Sequence, residues 1–167
     1  MGRVTAVRLV HSLALTASLV VVGCAPEAGD PLAPPEIHYG EDLCDQCGMA
    51  IDDPRYAAAT LVDEAGQASP RRFDDIGDMV AYHAERPGLD VLRWYVHDFD
   101  TGEWLDATTA AFVRGPASAI PSPMGFGVIA FGDAAAARAE AEARGGEALG
   151  FDALRAAIGA PEVVPAP

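Results

Sequence analysis

The 167-residue chain has no lysine: its 11 basic residues are all arginine, set against 25 acidic ones and a net charge of −14. A polyanion of this kind is a poor partner for nucleic acid or for anionic lipid surfaces. It suits a basic protein surface or a metal ion. Cysteine occurs three times, at 24, 44 and 47, too few for a disulfide framework. The chain lacks a second Cys-x-x-Cys pair and any His-x-x-x-His spacing, so a closed four-ligand zinc site is not spelled out. No Ser-His-Asp set, paired catalytic carboxylates or phosphate loop stands out. "GFGVIAFG" is glycine-rich but does not open a helix as the nucleotide motif requires. "DFDTGEW" has its glycine one position early for a calcium loop, and position twelve is Thr109 instead of Glu. The chemistry of small-substrate turnover is therefore missing, and a non-enzymatic role is expected.

What is present begins with an address. Arg3 and Arg8 precede an apolar run from Leu9 to Val22, broken by His11, Ser12, Thr16 and Ser18. The run falls short of the roughly 20 apolar residues of a membrane span and reads as a secretory signal over residues 1–23. "VVGC" resembles a bacterial lipobox, with Val21 where leucine is preferred, which makes Cys24 the lipidated N-terminus of the mature chain. An uncleaved anchor or ordinary cleavage nearby is the alternative. Each places the body in the cell envelope, outside the cytoplasm. Loss of residues 1–23 leaves nine arginines against 25 acidic residues, a net charge of −16. Residues 24–37 carry four prolines and read as a disordered tether; residues 160–167 read as a loose tail.

The body between them alternates strand and helix signals. "RYAAATLVDEAGQASPRRF" predicts two strands around a turn at Asp63 to Gln67. "DDIGDMVAYHAERPG" predicts a helix capped by Asp75, with Ile76, Met79, Val80 and His83 on its core face. "LDVLRWYVHDF" predicts a strand with Leu92, Trp94 and Val96 on one side and Val91, Tyr95 and His97 on the other. "EWLDA" starts a further extended piece that Ala110 to Val113 continue. "MGFGVIAFG", "DAAAARAEAEARGG", "EALGF" and "DALRAAIG" then predict strand, helix capped by Asp133, short strand, and a terminal helix capped by Asp152. A shift of 58 residues aligns Phe73 with Phe131, Asp75 with Asp133, Arg86 with Arg144 and Gly88 with Gly146. The expected fold is α+β: two ββαβ-like units, 38–105 and 106–159, packed into one compact body.

Chemistry concentrates in "LCDQCGMAI", Leu43 to Ile51. A redox couple wants its cysteines at a helix start, whereas Gly48 and Pro54 leave little room for one. A Cys44–Cys47 disulfide closes too small a loop to add much stability. It stays open as an alternative, as does a zinc site. The reading the residues favour is Cu(I), which prefers thiolate and thioether donors and accepts few of them. Cys47, Met49 and Cys44 lie within six residues, and Gly48 lets the backbone turn so that their side chains converge. Met124, on the rigid loop "PSPMGFG", is a further candidate ligand. His97, at a strand end, is a weaker one, and His38 and His83 rank below it. Met79 sits at apolar helical spacing and is read as core.

Together, "CDQCGMAI", "FDDIGDM", "VHDFDTGEWLDATTAAFV", "PMGFGVIAF" and the late "GG…F" resemble the NosL family, copper-binding accessory lipoproteins associated with nitrous-oxide reductase maturation. The resemblance runs from about Cys24 to Ile158. It implies a tandem pair of small ββαβ units. It also implies Cu(I) binding, placed first on Cys47 and Met49, then on Cys44, with Met124 as a candidate. The implied partners are an apo-cuproenzyme, nitrous-oxide reductase in the family, and an ABC-type membrane maturation system. A copper-linked homodimer is compatible with so few ligands per chain. The rivals from other classes are an envelope thiol-disulfide oxidoreductase using Cys44 and Cys47, and a purely structural lipoprotein.

Overall fold

The computed structural model describes residues 2 and 29–159. Apart from residue 2, the expected signal peptide, the expected lipidation site Cys24 and the tail 160–167 lie outside the described residues. The expected disordered tether 24–37 is packed at its C-terminal end: Leu32 rests on Tyr95 and Ile37 is buried in the core, because these two apolar side chains find cover on the body. No helix among the described residues is long and apolar enough to cross a membrane.

The first hairpin joins β1 (Ala58–Glu64) to β2 (Gln67–Phe73). Its turn is tighter than the expected five residues: only Ala65 and Gly66 lie outside the strands, with φ of 55° and 84°. Two successive positive φ values are what a two-residue hairpin demands. The Asp63 carboxylate accepts from the Gly66 amide at 2.7 Å and fixes the bend.

Helix α1 (Ile76–Glu85) follows, capped by Asp75, and buries Ile76, Met79, Val80 and His83 as the spacing predicts. Strand β3 (Val91–His97) then pairs with β1, and β4 (Trp104–Asp106) with β3, in the antiparallel order β2-β1-β3-β4. One expectation fails in β3. Leu61 pairs with Arg93 but Val62 with Val91, so Leu92 is an extra, bulged residue. The bulge turns Leu92 onto the face of Ala59, Leu61 and Tyr95, away from Trp94 and Val96.

The extended piece predicted from "EWLDA" through Val113 is interrupted. A turn at 107–109 ends β4, and β5 (Ala111–Arg114) opens a second sheet. Strand β6 (Val128–Phe131), helix α2 (Ala134–Arg144) and strand β7 (Glu147–Gly150) complete it in the antiparallel order β6-β5-β7. Helix α3 (Phe151–Gly159) begins at Phe151, directly after β7, so Asp152 lies inside its first turn and is not the expected cap; the helix packs on α1.

The two halves share one topology. In each, the first strand is central and the second and third flank it. The residues aligned by the 58-residue shift are equivalent: Phe73 and Phe131 end their second strands, and Asp75 and Asp133 cap the helices. The main core draws on both, uniting Phe73, Ile76, Met79 and Val96 with Phe112, Val128, Phe151 and Leu154. The fold is thus α+β, a tandem pair of ββαβ units around a shared core.

Candidate metal centre

The Cys-x-x-Cys segment forms a closed knuckle ahead of β1. The Cys44 amide donates to the Met49 carbonyl at 2.8 Å, and the Gly48 amide to the Cys44 carbonyl at 2.9 Å. Gly48 has φ of 75°, the left-handed value that closes the turn. No helix forms here. The knuckle is tied to the end of β2: the Asp45 amide donates to the Arg72 carbonyl at 2.8 Å, and the Arg72 amide to the Asp45 carboxylate at 2.7 Å. Two residues beyond Arg72 stands Asp74, directly before the N-cap Asp75 of α1.

That junction brings four side chains together. The Cys47 thiol donates to Asp74 Oδ1 at 3.5 Å, and the Cys44 thiol to Asp78 Oδ2 at 3.4 Å. One ligand atom from each of Cys44, Cys47, Asp74 and Asp78 lies within 4.8 Å of all the others. Cys44, Asp74 and Asp78 are buried, and Cys47 is half-buried. Both cysteines are free. Burial pushes both thiols up from their ordinary pKa, and raises the Asp78 carboxyl as well. Asp74 Oδ2 is buried without a hydrogen-bond donor, a costly state for a carboxylate oxygen that a cation or a proton relieves. Two soft sulfurs walled by two acids are a donor set that could hold a soft cation.

Asp74 and Asp78 escape the sequence reading, which weighs soft donors and the apolar helix face only. Their signal is the i, i+4 spacing in "FDDIGDM", which sets one acid just before the N-cap and one in the first turn of α1.

The methionines divide as expected from their settings. Met79 is fully buried in the core. Met49 and Met124 are exposed, at 47 % and 41 %, among the few large apolar side chains left in solvent. Met49 belongs to the knuckle. Met124 belongs to the 121–127 loop of the second half, whose Met124 amide donates to Asp75 Oδ2 at 3.0 Å. Asp75 directly follows Asp74, so this loop meets the turn that holds the cysteine thiols.

His97 is placed elsewhere. It is buried, its Nε2 meets the Tyr39 hydroxyl at 3.0 Å and its Nδ1 the Gly102 carbonyl at 2.8 Å, and its ring stacks on Trp104. Burial lowers its pKa. With both nitrogens engaged and the ring outside the four-residue cluster, His97 is a structural histidine in this fold. His83 is also buried, with Nε2 2.9 Å from the Thr60 hydroxyl and its pKa lowered to about 4 by burial. His38 sits exposed beside Glu36 and Asp42.

The comparisons with known proteins agree with this architecture. The copper-binding lipoprotein NosL of Stutzerimonas stutzeri is 28 % identical over 158 residues, spanning 87 % of this chain and 80 % of that protein. The crystal structure of the copper chaperone NosL from Shewanella denitrificans matches with a TM-score of 0.61 at 23 % identity. It covers 74 % of this chain and 96 % of the other, and speaks for the fold. Residues 36–158, which hold both ββαβ units and the whole sulfur–carboxylate cluster, match the family model for NosL, and the chain therefore belongs to the NosL family.

Proposed function

We propose that the chain is a cell-envelope lipoprotein that carries Cu(I) and hands it to an apo-cuproenzyme, nitrous-oxide reductase, in concert with an ABC-type membrane system. The observation that carries this reading is the convergence of the Cys44 and Cys47 thiols on a knuckle that also carries the exposed Met49. The relatives' names, copper-binding lipoprotein and copper chaperone, point the same way. In this reading Cys47 and Met49 are the principal ligands, Cys44 joins them, and Met124 closes the set. Asp74 and Asp78 accept the thiol hydrogen bonds in the metal-free state. Residues 1–23 would be cleaved, Cys24 lipidated, and the stretch after Cys24, up to the packed Leu32, would give the body reach from the membrane. The expected division into 38–105 and 106–159 would move by one residue, to follow Asp106, because Asp106 pairs with Tyr95 in the first sheet.

The mechanism is ligand exchange. A site of two to four soft donors holds Cu(I) against free release, yet the ion accepts an incoming donor without first losing all its own. The half-buried Cys47 and exposed Met49 form the accessible side, where a partner's ligand can attack. Buried Cys44 is the sulfur that would let go last. A thiol-disulfide exchange role fits less well, because the nucleophile is the thiolate and burial holds both thiols protonated.

The test is direct transfer. The Cu(I)-loaded chain is mixed anaerobically with apo-nitrous-oxide reductase in the presence of a chelator that captures free Cu(I), and copper in the re-isolated enzyme is measured. Copper should reach the enzyme despite the chelator. Copper collected by the chelator alone would contradict delivery to this client.

A further inference from the structure

Asp75 does more than cap its helix. Its Oδ1 accepts from the Gly77 amide at 2.7 Å, which is all an N-cap requires. Its Oδ2 reaches into the other half of the molecule, accepting from the Ser122 hydroxyl at 2.6 Å and from the Met124 amide at 3.0 Å. Ser122 Oγ in turn accepts from the Gly127 amide at 3.0 Å, and the Ser122 carbonyl from the Gly125 amide at 3.0 Å. The loop is thus bound at both ends and at its middle. Phe126 seals it: its ring lies where the Cβ of any residue but glycine at 77 would fall. The repeat supplies a control. Asp133, in the equivalent position, caps α2 with Oδ1 alone, takes both Ala135 and Ala136 amides there, and is exposed. The second reach of Asp75, which is fully buried, has no counterpart.

We propose that Asp75, acting through Ser122, is a positioning residue that sets Met124 at the sulfur site, so that the second ββαβ unit contributes a thioether to a centre otherwise built by the first. The inference rests on the reading of Met124 as a copper ligand. One helix start carries both functions: Asp74 before the cap and Asp78 in the first turn accept from the cysteine thiols, and the cap Asp75, between them, grips the methionine loop. The grip is on the backbone amide of Met124, which fixes where the residue stands and leaves its thioether free and exposed. Residues that orient a metal ligand in this way typically change metal affinity about 10- to 100-fold when removed.

The experiment is a double-mutant cycle read by Cu(I) competition with a chelator, on the reduced chain under anaerobic conditions. Ser122→Ala and Asp75→Asn should each weaken Cu(I) about tenfold, as should Met124→Ala. Neither should weaken it further once Met124 is alanine. Ser122→Ala is the decisive partner because the buried cap itself also serves the fold; thermal melts set a temperature at which every variant is folded. Equal losses in both backgrounds would mean a purely structural role and overturn the inference. Loss in Met124→Ala but not in Ser122→Ala or Asp75→Asn would overturn the positioning role and leave Met124 a ligand. Wild-type affinity in Met124→Ala would overturn the ligand reading itself, and the inference with it.

Discussion

At the scale of single residues, the thiols decide how copper binding responds to pH. Cys44 and Cys47 have their pKa raised by burial, so both are protonated through the neutral range. Cu(I) binds thiolate, so loading must release these protons. Apparent affinity should therefore rise with pH from 6 to 8, by at most about 100-fold per pH unit if both protons leave. Chelator competition at a series of pH values checks this, and a flat profile would show that the thiols are not the donors. The residues of the knuckle were legible because they are local: a turn with Gly48 at its hinge gathers neighbours in sequence. Asp74 and Asp78 were not, because they stand 27 and 34 positions from the cysteines they meet. His97 shows the same limit. Its partner Tyr39 is 58 positions away, and nothing local announces that both ring nitrogens are taken.

At the scale of elements, the caps and the hairpin followed from side-chain chemistry. Asp75 and Asp133 begin their helices where short acceptors are favoured, and Gly145, with φ of 65°, ends α2 as the sequence indicates. The bulge at Leu92 was not readable, because period-2 alternation assumes an unbroken ladder. Nor was the break between β4 and β5, where a short turn sends the chain to a new sheet. Gly77 gives the element-scale prediction. Glycine inside a helix is usually a loss of up to about 1 kcal/mol against alanine, so Gly77→Ala would ordinarily stabilise. Here the added methyl overlaps Phe126, and overpacking costs about 1–3 kcal/mol. Gly77→Ala should lower the melting temperature of the metal-free chain by several degrees. A rise would mean that the 121–127 loop does not rest on α1.

At the scale of the whole molecule, the repeated topology frames how the candidate site is assembled. Each half holds a ββαβ motif, which β4 extends to four strands in the first, and the aligned positions hold the same structural duties. The first half carries the knuckle before its first strand, and the second carries the methionine loop between β5 and β6. The 58-residue shift made this architecture visible in the sequence; the shared core that joins Phe73 and Phe112 was visible only in the fold. Charge acts at this scale too. With a net of −14 and no lysine, the chain should meet a basic partner through long-range attraction, so under the proposed function the rate of copper transfer to the client enzyme should fall as ionic strength rises. A salt-independent rate would assign no role to that charge. The central claim, however, is that a cysteine–methionine knuckle walled by α1 holds Cu(I). It is tested most directly by anaerobic titration of the reduced chain with Cu(I) against a competing chelator, beside Cys47→Ser and Met49→Ala. The account predicts tight binding by the wild type, its loss in Cys47→Ser, and weakened binding in Met49→Ala with an unchanged melting temperature. Failure of the reduced wild type to compete for Cu(I) would contradict it.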